Sequence, residues 1–207
     1  MKKFVITIAR ENGSGGRAIG EALARHLGIE FYNRDLLRLA SDESGISEQL
    51  FAKADEEVQR TLLFRVAHDA YKGEVIPPDS DDFISNENLF RYQARVVREL
   101  ARTESCVIIG RCADYILKDF DNVVSLFIHA PLEARVATIM ERHSLSEEAA
   151  RKEIARVDKR RANYYYTFTG TDWRDASHFD LSLNSAEMGL KGCVDLVSKY
   201  LQLRFGE

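Results

Sequence analysis

The sequence predicts an α/β protein, a three-layer α/β/α sandwich on a mostly parallel five-stranded sheet. Three observations point to it. Val5-Ile6-Thr7-Ile8 and Cys106-Val107-Ile108-Ile109 are short, nearly unbroken apolar runs, as strands buried on both faces require. Such runs alternate with longer stretches of helical spacing, about five of each kind. The first run passes straight into a glycine-rich turn and an amphipathic helix that begins near Arg17 and is closed by Gly28.

Taken in order, Ile29-Glu30-Phe31-Tyr32 reads as the second strand, with Asn33 capping a helix from Arg34 to about Ala40. Tyr32 to Asp35 then sit at a strand's C-terminal end, the edge where open α/β sheets hold ligands. Residues 46–72 read as mainly helical, with Leu50, Val58, Leu62, Phe64 and Val66 among dense charge. Residues 73–87 break the pattern with Pro77-Pro78 and Asp79, Asp81 and Asp82, which read as a solvated acidic loop because no metal spacing is met. Phe90, Ala94, Val97 and Leu100 give a helix from about Asn88 to Arg102, and the strand from Cys106 ends at Gly110-Arg111. Val123 to His129 forms another strand, and Pro131 opens a helix bearing Arg135, Met140 and Arg142. Ser146 caps the next helix, which carries Arg151, Arg156, Asp158, Arg160 and Arg161. Asp158 and Arg161 share a face, which by itself means an intrahelical ion pair worth about 0.2–0.5 kcal/mol. The arginines, followed by Tyr164-Tyr165-Tyr166 and the Gly170-Thr171-Asp172-Trp173 turn, also suit a phosphate-clamping lid. Phe179 to Leu183 is the last strand and Gly189 to Leu203 the terminal helix.

The 207 residues, 45% hydrophobic and 30% charged, suit one such domain, with an inserted or mobile subdomain. A net charge of −4 argues against a general nucleic-acid or membrane-surface partner and favours a small phosphorylated ligand. No apolar stretch approaches a bilayer span, and Met1-Lys2-Lys3 runs directly into a strand, so a cytoplasmic protein is expected. Cys106, Cys112 and Cys193, odd in number and without C-x-x-C spacing, read as buried reduced thiols. Assembly as a homo-oligomer is an open alternative.

Chemistry concentrates in the first turn. Gly13, Gly15 and Gly16 allow positive φ and close approach of bare N–H groups to anionic oxygens, while the following helix aims its positive end at the same place. The amides from Asn12 to Ala18 (Asn12, Gly13, Ser14, Gly15, Gly16, Arg17 and Ala18) are therefore expected to wrap a polyphosphate. The familiar pattern is Gly-x-x-x-x-Gly-Lys-Ser/Thr; here Glu11 replaces the first glycine, Arg17 the lysine and Ala18 the hydroxyl. Arg17 can still meet phosphate as a fork. Ala18 cannot ligate a metal, which leaves Ser14, water or an acid elsewhere.

Four stretches carry a resemblance: Ala9 to Arg17, Ile109-Gly110-Arg111-Cys112-Ala113-Asp114, Phe127 to Arg135, and Asp158-Lys159-Arg160-Arg161-Ala162. In order and spacing they resemble the cytidylate kinase-like branch of the P-loop nucleoside monophosphate kinases over nearly the whole chain. The resemblance implies a P-loop kinase-like fold and phosphoryl transfer from ATP, with Mg2+, to a nucleotide acceptor. It assigns donor binding to Gly13 to Arg17, with Arg135 nearby, and acceptor binding to Arg111 and Asp114. It makes Asp158 and Arg161 lid residues touching acceptor and transferring phosphate, catalytic together with Arg17. The core is then 1–41, 103–145 and 177–207, the helical acceptor-side insertion 42–102 and the lid 146–176. Two departures stand out. Cys112 follows Arg111 where cytidylate kinases have an acid, and Asn33-Arg34-Asp35 replaces their short serine- or threonine-glycine stretch. Donor chemistry is thus better supported than acceptor identity.

Two other readings share this framework. A sensor or interaction protein that binds nucleotide without turnover would explain Arg17 and Ala18. A kinase for a non-nucleotide metabolite would use Asp35 as the base at an acceptor hydroxyl.

Overall fold

The computed structural model describes residues 3–33, 35–57, 75–78, 80 and 82–206. Five strands, β1 (Val5–Arg10), β2 (Glu30–Tyr32), β3 (Cys106–Ile109), β4 (Val123–His129) and β5 (Leu181–Asn184), form one parallel sheet in the order β2-β3-β1-β4-β5. Register aligns Ile8 with Ile109 and with Leu126, and Arg10 with Ile128, so the C-terminal ends of β1, β3 and β4 share one edge.

Helices cover both faces because the central strands are apolar on both. Ile6 and Ile8, with Val107, Ile109, Val124, Leu126 and Ile128, pack against α1 (Gly16–Leu27) and α8 (Ser185–Phe205). Val5 and Ala9, with Cys106, Ile108, Val123 and Phe127, face the other layer. That layer contains α2 (Asp35–Ser44), α3 (Glu48–Glu57), α4 (Asn86–Thr103) and α5 (Ala113–Ile116), together with Tyr165 and Phe168. The odd and even residues of one strand thus enter different cores, as the two-residue pleat dictates. A fully buried Leu23 or Ile19 contributes about 1.5–3 kcal/mol to holding α1 on the sheet. Helices α6 (Leu132–His143) and α7 (Glu147–Thr169) meet through a smaller cluster of Val136, Ile139, Ala150 and Ile154.

The chain leaves β1 toward the α1 layer and β3 toward the α5 layer. Adjacent strands that exit to opposite faces open a crevice at their C-terminal ends, where open α/β sheets place ligands.

Helix ends follow the expected chemistry. Ser85 and Ser146 accept from the amides of Asn88 and Ala149, and Gly28 adopts the left-handed conformation and returns its N–H to Ala24. The differences from expectation are local. Helix α7, whose end the sequence left open, runs through Tyr164 to Tyr166, and α5 is a single turn too short for periodicity to reveal. Helix α8 starts at Ser185, capped by Asn184, and is interrupted at Gly189 rather than begun there. Of the helical expectation over 46–72, α3 is described; residues 58–72, together with Arg34, Asp79 and Asp81, lie outside the described residues. Asn88, wholly buried, donates to the carbonyls of Ile76 and Phe83 and accepts from the Ile76 amide, tying the proline-containing loop to α4. None of the three cysteines forms a disulfide, and all are buried.

Candidate functional site

The turn between β1 and α1 is an open cradle. Gly13 and Gly15 have φ of 83° and 76°, and a Cβ on Gly13 would lie 2.8 Å from the Arg135 carbonyl, so only glycine lets the loop rest on α6. Gly15 is the N-cap of α1 and offers no side-chain cap, leaving the amides of the first helical turn for a ligand. A cleft of about 200 Å³ opens beside them, lined by Gly13, Gly15, Ala18, Ala134, Thr138 and Ser185 among others.

An ion network under the loop joins it to α6, α7 and the segment after α7. Asp158 accepts from the Asn12 amide at 2.7 Å and from Arg135 at 2.6 Å. Glu11 faces Arg135 at 3.4 Å and Arg174 at 3.1 Å and accepts from the Ala130 amide. Arg161 donates to the Arg10 carbonyl at 2.9 Å. The intrahelical Asp158–Arg161 pair expected from spacing is therefore not what these side chains do; each reaches out of α7 to a different part of the β1–α1 connection, where a buried partner is better than an exposed neighbour.

Above the crevice, Gly110, Arg111 and Cys112 have φ of 75°, 61° and 53° in succession. Two consecutive non-glycine residues in the left-handed region mark a strained turn. The Gly110 N–H donates to the Ile8 carbonyl, anchoring this turn to β1, and Arg111 Nη1 approaches Gln93 Oε1 at 3.5 Å. Arg10 threads between the two turns. Its Cβ lies 2.7 Å from where a Cβ on Gly16 would be, and its Nη1 occupies the space of a Cβ on Gly110. Burial first, then the charges of Arg161, Arg111 and Arg160, holds its pKa well below the usual arginine value. Arg161 is likewise pulled down to about 10, mainly by burial, with Asp158 opposing and Arg160 adding to the fall.

Other expected site residues lie apart from this cluster. The Arg17 guanidinium turns outward to Glu21 at 2.8 Å. Asp35 is exposed at the start of α2, just past the C-terminal end of β2. Asp114 is buried at the start of α5 and accepts from the Tyr165 hydroxyl at 2.6 Å. It lines a separate cavity of about 420 Å³ with Ser125, His178 and Arg204. Trp173 is a loop anchor, buried edge-on against Phe127.

The oxygens beside the loop are engaged, which bears on magnesium. Ser14 Oγ donates to the Glu11 carbonyl, Glu11 and Asp158 carboxylates meet arginines and amides, and Ala18 has no side-chain oxygen. Among the described residues no group of three or more His, Cys, Asp or Glu gathers as metal ligands. These side chains do not fit a resident magnesium ion; positive charge at the crevice comes from arginine. Sequence reasoning missed two such arginines, Arg10 and Arg174. For Arg10 a signal existed, a lone guanidinium closing an otherwise apolar strand immediately before the loop.

Comparison with known proteins agrees with this geometry. The cytidylate kinase of Pyrococcus horikoshii is 24% identical over 196 residues, covering 94% of this chain and 86% of that protein. The cytidylate kinase of Ignicoccus hospitalis is 26% identical over 197 residues, covering 95% and 98%. An uncharacterized protein from Eubacterium ventriosum, 26% identical, superposes with a TM-score of 0.70 over 97% of this chain and 99% of its own. Shikimate kinase from Bacteroides thetaiotaomicron, 13% identical, shares the fold with a TM-score of 0.54. The sequence model of the cytidylate kinase-like family matches residues 5–187, a span that includes the glycine cradle, the strained turn at Arg111 and the reach of Asp158 and Arg161 from α7, and the chain belongs to that family.

Proposed function

We propose that the protein transfers the terminal phosphoryl group of ATP, entering as its magnesium complex, to a nucleoside monophosphate. The observation that carries this reading is the meeting, at one sheet edge, of a glycine cradle with unspent helix amides and arginines from β1, the Gly110 turn and α7. Phosphoryl transfer asks mainly for positioning and for positive charge where the phosphates are brought together.

In this reading the amides of Gly13 to Ala18 hold the donor phosphates, and the cleft beside Ala18, Ala134 and Ser185 takes the donor nucleoside. Arg135 supports the loop from below through Asp158 and Glu11. Arg111 and Arg161 meet the acceptor phosphate, with Asp35 on the acceptor side and Asp158 closing the lid; Asp114, turned to Tyr165 and the separate cavity, supports the Arg111 turn from behind instead of touching the acceptor. The names of the relatives support cytidine monophosphate as the first acceptor to test.

The test is ADP formation by the purified protein with ATP, magnesium and each nucleoside monophosphate in turn. Acceptor-dependent ADP from at least one is the expected result. Nucleotide binding by calorimetry with no ADP from any acceptor overturns the enzyme reading in favour of a sensor, the alternative that the outward-facing Arg17 favours.

A further inference from the structure

The familiar phosphate loop carries its lysine on the helix, yet here the corresponding Arg17 faces away from the cradle and is paired with Glu21. Another cation stands closer to the crevice. Arg10 ends the central strand, passes beneath the first residue of α1 and ends against Gly110, so its guanidinium lies between the donor cradle and the strained turn bearing Arg111.

Among the described residues it has no carboxylate partner. The nearby acids are committed elsewhere, Glu11 to Arg135 and Arg174 and Asp158 to Arg135 and the Asn12 amide. Meanwhile Arg111, Arg160 and Arg161 crowd it with like charge, and Arg161 is held in place by the Arg10 carbonyl itself. A half-buried cation crowded by other cations is unfavourable unless an anion completes the set. Both turns also depend on glycine for its passage, since a Cβ at Gly16 or Gly110 would collide with it.

We propose that Arg10 is a catalytic residue that supplies the phosphate-directed cation usually provided by the loop lysine, contacting the transferring phosphoryl group between donor and acceptor. This rests on the kinase reading above. An oxygen of the acceptor phosphate attacks the terminal phosphorus of ATP, a new P–O bond forms as the bridging P–O bond breaks, and the electron pair of that bond leaves on the ADP β-phosphate. No proton need move when the acceptor is a dianion, and the charge spread over the transferring group is what Arg10 would meet.

The test compares Arg10→Met, Arg10→Lys and Arg17→Ala in turnover and in binding of inorganic pyrophosphate by calorimetry. Arg10→Met is expected to lower kcat on the order of 10²–10³-fold, with Arg10→Lys partly restoring it and Arg17→Ala costing less than about tenfold. Pyrophosphate affinity falls in the same order. Because removing Arg10 relieves like-charge crowding, the ligand-free Arg10→Met protein should melt no lower than the parent, whereas a merely structural arginine would lower it. If the parent turns over no acceptor, the kinase reading fails while the pyrophosphate series still decides the role of Arg10. Pyrophosphate binding unchanged by Arg10→Met, or lost instead in Arg17→Ala, overturns the proposal.

Discussion

Asp114 shows how a side chain's neighbours in space, more than those in sequence, set its chemistry. Two residues past Cys112, it is the acid that the resemblance gives to the acceptor. In the fold it is buried, and burial pushes its pKa up against the lowering influence of the Tyr165 hydroxyl, nearby backbone N–H groups and His178. A carboxyl whose folded pKa is raised costs nothing below its unfolded value and becomes a growing liability as pH climbs through the folded one. Tyr165→Phe removes a donor to that group and should destabilise the protein by about 1.5–3 kcal/mol near neutral pH. The loss should shrink as pH falls to about 2.5, well below the ordinary carboxyl value of 3.8, where the group is protonated in both states. Urea denaturation at the two pH values checks this, and a pH-independent loss would mean that packing, not charge, dominates. Arg17 teaches the same lesson with the opposite outcome. Its place beside the glycines suggested phosphate, but Glu21 lies four residues on along the same helix face, a pairing that the sequence did contain.

At the scale of elements, α8 is coupled to the cradle through its first residue. Ser185 Oγ donates toward the carbonyls of Ser14 and His129, at 2.6 and 3.1 Å, so the helix start holds both the loop and the end of β4. The next turn breaks at Gly189, with φ 64° and ψ 174°, a conformation open essentially to glycine alone. A Cβ there meets nothing within 4 Å, so the cost of Gly189→Ala is backbone strain and not a clash. It should come to about 1–3 kcal/mol, read from chemical denaturation, with weaker ATP binding as Ser185 shifts. Stability within about 0.5 kcal/mol of the parent would show that the helix runs equally well without the break. Most elements were legible because the buried strands and the Ser85 and Ser146 caps obey local rules. The short α5 and the continuity of α7 were not, since one turn has no period and a run of tyrosines has no sequence-level reason to stay helical. Tyr164 and Tyr165 stay in the helix because Phe90 and Phe168 pack on the first and Asp114 binds the second.

Across the whole molecule, one carboxylate closes the assembly. Asp158, on α7, bonds a loop amide 146 residues earlier in the chain and the Arg135 guanidinium of α6, both charged groups being buried. Removing one partner of a buried pair typically costs about 3–5 kcal/mol, and Asp158→Ala should fall near about 3 because Glu11 still faces Arg135. Denaturation midpoints for Asp158→Ala and Asp158→Asn measure this; the amide variant should lose less, since it can still accept from Asn12. Equal stability of all three proteins would mean that α7 is not anchored through this residue.

The sequence by itself determined the sheet, its helical covering and the glycine cradle at the end of the first strand, because hydrophobic periodicity, capping and glycine's backbone freedom act over a few residues. Only the tertiary structure decided which arginines face the cradle and which acids are already committed. Arg10, Arg111, Arg161 and Arg174 come from four separate segments, and their common direction arises from parallel register and helix rotation, which no local pattern encodes.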